Sequence, residues 1–172
     1  MQNIGFNIPY FTGKEIDYIS ESVRSGKISG DGIFTRKCHQ FFEQRWGFPK
    51  TLMTTSCTDA LEMCALLLDI REGDEVIVPA LSFVATGNAV FQAGLTPVFV
   101  DVKRETLNID PDKIEAKITK RTRAIMPVHL YGQAANMAAL EAVAQRHGLA
   151  IVEDCCQAHL ATAQGRAVGS IG

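Results

Sequence analysis

The sequence predicts an α/β fold in which a largely parallel sheet is covered by helices on both faces. Two observations lead to this prediction. Apolar segments of strand length alternate along the chain with segments of helix length. The strand segments are rich in Val and Ile without a regular apolar–polar alternation, which is typical of strands buried on both faces.

Each element follows from a local pattern. Amphipathic or small-residue segments with start or stop signals predict helices over residues 14–26, 34–47, 58–70, 83–94, 110–119 and 136–148. In the fifth of these, Asp110 is the expected cap and Pro111 the first helical residue. Apolar segments predict strands over residues 50–56, 74–80, 96–102, 123–130 and 149–154.

Length and composition limit the possible functions. The chain has 172 residues, enough for one domain with a sizeable core, and neither a repeat nor a linker-like stretch suggests a boundary. Lys and Arg total 17 and Asp and Glu 19, which gives a net charge of −2 and no basic surface for nucleic acid or membranes. The N-terminus does not read as a secretory signal, and five irregularly spaced cysteines predict reduced thiols in a cytoplasmic protein.

The residues that follow the strands are the first candidates for a site. In open parallel sheets, ligands bind at the carboxyl ends of the strands. The segments to consider are therefore residues 56–59, 79–83, 129–132 and 154–159. We expect the fold to bring these four segments together at one edge of the sheet.

The stretch TTSCTDAL is a strand–turn–helix junction that could bind an anion. The amides of Thr58, Asp59 and Ala60 begin the helix and lack intrahelical partners, and the Thr58 hydroxyl is a further donor. A carboxylate at Asp59 would repel a phosphate unless its side chain turned away. The alternative is an ordinary Ser/Thr cap followed by an acid in the first turn.

Two further residues could contact a planar ligand. Phe83 follows a strand and could stack on a ring, although on this stretch alone packing in the core is the favoured interpretation. Asp154 ends the last strand, where a buried carboxylate needs a partner such as the cationic ring nitrogen of pyridoxal phosphate. The alternative is that Asp154 caps the following turn. Glu153 is expected to point away from Asp154, because side chains alternate along a strand.

Two other patterns are weaker. Cys155, Cys156 and His159 suggest a metal or thiol site, but adjacent cysteines point apart and no second pair of ligands follows. We therefore expect no metal, and small packed side chains at both cysteines. Gly30 and Gly32 follow a helix rather than a strand, so this stretch does not match a dinucleotide-binding loop and is read as a loop that could lie across a site.

Taken together, residues 54–102, 106–133 and 151–172 resemble the nucleotide-sugar aminotransferases of the DegT family, which are fold-type-I enzymes that use pyridoxal phosphate. The resemblance covers about residues 6–172. It implies the three-layer, aspartate-aminotransferase-like large domain, incomplete at its C-terminal end and without the small C-terminal domain. The segments SCT, LEMxALLLDI and SGKxxGDGxFTRxC resemble the transaminases that make a dTDP-4-amino-4,6-dideoxy-sugar, in particular the galactose-configured one.

The resemblance also implies roles for particular residues. Thr58 and the Asp59 amide would hold the cofactor phosphate, and Phe83 would stack on its ring. Asp154 would pair with the ring nitrogen, and Gln157 would lie near the ring 3-hydroxyl. The substrate would lie near a remaining set: Phe6, Lys27, Ile28, Ser29, Gly30 and Cys57.

The lysine that forms the Schiff base in this family is expected beyond Gly172, so the chain alone is expected to be inactive and to be a fragment or a truncated form. The resemblance implies a homodimer that transfers the amine of glutamate to a dTDP-4-keto-6-deoxy-sugar for cell-surface polysaccharide biosynthesis. Two alternatives remain open: a sugar dehydrase of the same family, in which histidine replaces that lysine, and a non-catalytic α/β module that binds a phosphorylated ligand.

Overall fold

The structure is a computed structural model that describes residues 8–68 and 70–172. The chain divides into two compact units, Met1–Met53 and Thr54–Gly172. None of the helices in the described part of the chain is long and apolar enough to cross a membrane.

The described part of the first unit, residues 8–53, contains two helices, both of them predicted. Helix α1 spans Glu15–Arg24, and the Glu15 carboxylate accepts hydrogen bonds from the amide and hydroxyl of Thr12 just before it. Helix α2 spans Ile33–Trp46 and ends at Gly47, whose φ of 72° is the left-handed conformation that favours glycine.

The strand predicted over residues 50–56 is wrong, because no strand is present in this described stretch. Side chains of α2 take two of its amides. Thr51 donates to the carboxylate of Glu43 at 3.0 Å, and Met53 donates to the ring Nε2 of His39 at 2.9 Å. These amides are therefore not available to a neighbouring strand.

The second unit is built on a four-stranded parallel sheet in the order β2–β1–β3–β4. The strands are β1 (Glu75–Pro79), β2 (Thr96–Val100), β3 (Thr122–Ile125) and β4 (Ala150–Ile151). In the centre, Ile77 lies opposite Val98 on one side and Ile125 on the other. The predicted parallel sheet is confirmed.

Helices cover both faces of this sheet, as its apolar strands predict. Helices α3 (Cys57–Leu67) and α4 (Val84–Gln92) share one core with Val76 and Val78 of β1, while α5 (Met137–His147) shares the other with Ile77. Each such buried Val or Ile stabilises the fold by about 1.5–3 kcal/mol. Because neighbouring residues of β1 enter opposite cores, Val76, Ile77 and Val78 are all apolar.

Strand β3 is shorter than predicted. It ends at Ile125 because Pro127 has no amide proton to donate. Pairing with the chain after β4 nevertheless resumes, since Asp154 donates its amide to the carbonyl of Pro127 and His129 donates its amide to the carbonyl of Asp154. This isolated pairing fixes the position of Asp154 at the carboxyl edge of the sheet.

The helix predicted over residues 110–119 is two 3₁₀ turns, Pro111–Lys113 and Glu115–Lys117. The Asp110 cap is confirmed, because its carboxylate accepts from the amide of Asp112. Ile114 lies fully buried between the turns and anchors both to the core on the α5 face.

A short antiparallel hairpin follows β4 and was not predicted. Its strands are β5 (Thr162–Ala163) and β6 (Arg166–Ala167). The two turn residues, Gln164 and Gly165, both have positive φ, as a tight hairpin turn requires.

Candidate functional site

A cavity of about 260 Å³ lies at the carboxyl edge of the sheet in the second unit. Four segments that are distant in sequence form it: the start of α3, the β1–α4 connection, the chain after β3 and the chain after β4. Its lining residues are Cys57, Thr58, Ser82, Phe83, Ala85, Thr86, Val128, Asp154, Cys156 and Gln157. The structure thus brings together four of the predicted cofactor residues: Thr58, Phe83, Asp154 and Gln157.

Asp154 is the buried acid of this cavity, with only 2% of its surface exposed. Its Oδ2 accepts a hydrogen bond from the Thr86 hydroxyl at 2.8 Å, and its Oδ1 accepts from the amide of Cys156 at 3.1 Å. Both of these donors are neutral. A buried carboxylate held by neutral donors favours a cationic partner in the adjoining cavity.

Thr86 is a site residue that the sequence analysis missed. It is buried on α4, and its hydroxyl also lies 2.7 Å from that of Ser82, so the three side chains form a short hydrogen-bonded chain. The available signal was a hydroxyl side chain one helical turn after Phe83, near the start of the helix.

Phe83 stands at the N-terminus of α4 with 68% of its surface exposed, so the interpretation that it packs in the core is wrong. An exposed aromatic ring on a cavity wall can stack on a flat ligand. It lies in the same wall of the cavity as Ser82 and Thr86.

The N-terminus of α3 forms another part of the lining. Ser56 caps the helix by accepting from the amide of Asp59 at 3.1 Å, and the Asp59 carboxylate accepts from the Thr55 hydroxyl. The predicted cap is therefore present, and the Asp59 side chain is held by Thr55. Helix geometry leaves the amides of Cys57 and Thr58 without intrahelical acceptors, beside the Thr58 hydroxyl. These three donors are better placed to bind an anion than the Asp59 amide, because the Asp59 amide already donates to the Ser56 side chain.

Gln157 is fixed in place by the chain after β3. Its Oε1 accepts from the amide of Tyr131 at 3.0 Å, which leaves its NH₂ group as a donor at the cavity. Tyr131 has a φ of 53°, a conformation uncommon for a bulky residue, and its ring is exposed. The Gln157 contact supports this strained backbone at the edge of the site.

The prediction of reduced thiols is wrong for Cys57 and Cys156. A disulfide joins them, with their Cα atoms 6.2 Å apart. The sequence could not show this, because the two residues are 99 positions apart and only the fold brings the start of α3 beside the chain after β4. Cys38, Cys64 and Cys155 are free thiols.

Glu153 points away from Asp154, as predicted, into a second buried cluster. It accepts hydrogen bonds from His129 Nε2 and from the amides of Gly169, Ile171 and Gly172 at 2.6–3.0 Å. Burial alone would raise the pKa of Glu153, but these hydrogen bonds outweigh it and the pKa is lowered. The cluster fastens the C-terminal residues of the chain to the end of β4.

Among the residues that the structure describes, two groups of side chains have metal-ligand chemistry: Cys57, Asp154 and Cys156, and His129, Glu153 and Cys155. In the first, the two sulfurs are bonded to each other, and in the second, Glu153 is already occupied by donors. Burial, with the nearby Glu153 and Asp154, raises the pKa of Cys155 to about 12, so that its thiol is not poised to ligate. The adjacent cysteines belong to different groups, as expected if they point apart.

The predicted substrate residues are only partly described. Phe6 lies outside the described residues. Lys27, Ile28, Ser29 and Gly30 form an exposed loop between α1 and α2 of the first unit, while Cys57 lines the cavity of the second. Their roles toward a substrate stay predictions.

Comparison with known proteins shows the family of the chain. Residues 9–172 match the model of the DegT/DnrJ/EryC1/StrS aminotransferase family. The chain is 40% identical over 172 residues to the GDP-perosamine synthase of Caulobacter vibrioides, covering 100% of this chain and 46% of that protein. It is 40% identical over 167 residues to the spore coat polysaccharide biosynthesis protein SpsC of Bacillus subtilis, covering 97% and 43%.

A solved structure shows the same fold with a cofactor. NtdA of Bacillus subtilis, crystallised with the bound cofactor PMP, superposes with a TM-score of 0.79 at 39% identity, covering 83% of this chain and 32% of that one. The chain spans about half the length of the curated relatives it matches. Because the family model matches residues 9–172, the chain belongs to the DegT/DnrJ/EryC1/StrS aminotransferase family.

Proposed function

We propose that the gene product containing this chain is a pyridoxal-phosphate-dependent aminotransferase that converts a 4-keto-6-deoxy nucleotide sugar to the 4-amino sugar with glutamate as amino donor. The observation that carries the proposal is the buried Asp154 carboxylate, which lines a cavity together with Phe83 and the N-terminus of α3. The bound PMP of NtdA and the polysaccharide biosynthesis role in the name of SpsC support the cofactor and the setting.

Four residues that line the cavity suit this cofactor. The start of α3, with the Thr58 hydroxyl, suits a phosphate dianion, because the helix dipole and free amides favour negative charge there. Phe83 supplies an exposed ring for stacking, and Asp154 supplies a carboxylate to a protonated ring nitrogen. Gln157 retains its NH₂ group as a donor to a ring oxygen.

When bound, the cofactor supplies an electron sink for the bonds at the amine-bearing carbon. The residues of this chain would keep the ring nitrogen protonated and hold the ring in its orientation. Asp154 holds a proton at the ring nitrogen, and Thr86 with the Cys156 amide holds Asp154. The lysine that would move protons at the reacting carbon is proposed to lie beyond Gly172.

The proposal extends to the substrate. The segments that resemble dTDP-sugar transaminases favour a dTDP-linked sugar, whereas the relative from Caulobacter vibrioides is named for a GDP-linked one. The loop Lys27–Gly30, Phe6 and Cys57 are the proposed substrate contacts. A homodimer in the cytoplasm completes the proposal, as the family resemblance implies.

The test is an amine-transfer assay on the full gene product. Glutamate plus the 4-keto sugar should give 2-oxoglutarate plus the 4-amino sugar in equal amounts, with pyridoxal phosphate present. We expect turnover with the dTDP-4-keto-6-deoxy-sugar to exceed that with its GDP counterpart; the reverse preference would overturn the dTDP assignment alone. Loss of the sugar hydroxyl without amine transfer would support the dehydrase, and no binding of pyridoxal phosphate would support the non-catalytic module.

A further inference from the structure

The disulfide between Cys57 and Cys156 lies in the cavity proposed for the cofactor rather than at a distance from it. Both residues line the cavity, and both are exposed. Cys57 is the first residue of α3, next to Thr58, and Cys156 comes two residues after Asp154. The disulfide therefore links the proposed phosphate end of the site to its ring-nitrogen end.

The disulfide lies close to the carboxylate that is proposed to pair with the ring nitrogen. Each sulfur lies within 4.8 Å of a carboxylate oxygen of Asp154. A ring nitrogen hydrogen-bonded to that carboxylate would stand about 2.7–2.9 Å from it, and ring atoms keep about 3.5–4.0 Å from other heavy atoms. Two reduced side chains can rotate away from each other and leave space for the ring beside Asp154, whereas two bonded sulfurs cannot separate.

We propose that Cys57 and Cys156 form a reversible thiol-oxidation site that excludes pyridoxal phosphate when oxidised and admits it when reduced. The proposal rests on the proposed function, since it concerns the same cavity. Thr58, Phe83, Asp154 and Gln157 stay in place in both states, and only the two sulfurs change. The reduced form is the one that binds the cofactor.

The chemistry is a thiol–disulfide exchange with a low-molecular-weight disulfide as the oxidant. One protein thiolate attacks the small disulfide and bonds to one of its sulfurs, which gives a mixed disulfide. The other sulfur leaves as a small thiol. The second protein thiolate then attacks that mixed disulfide and releases the second small thiol. The protein loses two protons and two electrons, and the small disulfide gains them as it becomes two small thiols. A dithiol reductant reverses both steps.

The surroundings select this pair of thiols. Cys57 stands at the N-terminus of an eleven-residue helix, where the amides favour negative charge and thus an attacking thiolate. Cys155, adjacent to Cys156, is partly buried and contacts the carbonyl of Glu153, so it points away from the disulfide. The local geometry therefore limits exchange between the neighbouring cysteines.

The test uses the full gene product, stripped of cofactor and equilibrated with either oxidised glutathione or a dithiol reductant. Mass spectrometry of the intact protein and its peptides reads the loss of two hydrogens at Cys57 and Cys156. A fluorescence titration with pyridoxal phosphate reads affinity in each state. We expect at least about a tenfold weaker affinity in the oxidised protein, restored by reductant, and slower oxidation when the cofactor is already bound.

Two matched variants distinguish the Cys57–Cys156 pair from the neighbouring Cys155. Affinity in Cys156→Ser should no longer respond to the oxidant, whereas Cys155→Ser should respond as the unchanged protein does. Equal affinity in the two redox states, or the absence of a Cys57–Cys156 disulfide after oxidation, would overturn the proposal. If the reduced protein does not bind pyridoxal phosphate, the proposed function and the exclusion of cofactor both fail, while the mass measurement still decides whether the pair oxidises.

Discussion

The hydroxyl of Thr86 donates a 2.8 Å hydrogen bond to Oδ2 of Asp154, which connects helix α4 to the end of the sheet across 68 residues of sequence. Both side chains are buried, so neither can exchange this contact for water without opening the structure. This hydrogen bond fixes the orientation of the Asp154 carboxylate in the cavity.

Replacing Thr86 with Val removes this donor and keeps the shape of the side chain. A hydrogen bond to a charged group contributes about 1.5–3 kcal/mol, so the free energy of unfolding in urea should fall by about that amount. Thr86→Ser keeps the hydroxyl and should lose clearly less. A Val variant that unfolds at the urea concentration of the unchanged protein would contradict the role of Thr86.

Because the ring of Phe83 is exposed, replacing it should weaken cofactor binding but leave the stability of the fold nearly unchanged. Aromatic stacking contributes about 0.5–1.5 kcal/mol beyond the burial of area. Phe83→Leu should therefore weaken pyridoxal phosphate binding by about 2- to 13-fold, while the free energy of unfolding changes by no more than about 0.5 kcal/mol. Phe83→Tyr retains a ring and should bind nearly as well; equal affinities of the Leu and Tyr variants would argue against stacking.

The raised pKa of Cys155, about 12, predicts an unreactive thiol. The thiolate is the species that alkylating reagents modify, and at pH 8 only about one Cys155 in ten thousand would be ionised. In the reduced protein, iodoacetamide should therefore modify the exposed Cys38 well before Cys155. Peptide mass spectrometry over a time course measures both rates, and equal rates would contradict the burial of Cys155.

The lowered pKa of Glu153 predicts a pH dependence of stability. A carboxyl whose folded pKa lies below its ordinary value of 4.5 stabilises the fold fully above that value, and loses this contribution as pH falls through the lower folded pKa. Urea unfolding between about pH 7 and pH 3 should therefore show a shallower acid decline for Glu153→Gln than for the unchanged protein.

The exposed Glu105 provides the matched control for this measurement. Glu105→Gln removes the same charge without removing the cluster around Glu153, so its stability should decline with acid as steeply as that of the unchanged protein. If Glu153→Gln and the control behave alike, the amides of Gly169, Ile171 and Gly172 do not depend on the charge of Glu153.

The sequence predicted the parallel sheet and the approach of Thr58, Phe83, Asp154 and Gln157, because apolar periodicity and the position after a strand are local patterns. The Cys57–Cys156 disulfide could not be predicted from such patterns, since it depends on two segments that meet only in the folded chain. The prediction of a strand over residues 50–56 was wrong for a related reason. Contacts with α2, not local propensity, decide which acceptors the amides of Thr51 and Met53 bind.

A titration of the reduced full gene product with pyridoxal phosphate tests most directly whether Asp154 pairs with the ring nitrogen of this cofactor. The unchanged protein should bind saturably, and Asp154→Asn should bind at least about tenfold more weakly and lose nearly all turnover. Circular dichroism confirms that the variant is folded. Binding and turnover equal to those of the unchanged protein in a folded Asp154→Asn variant would contradict this pairing.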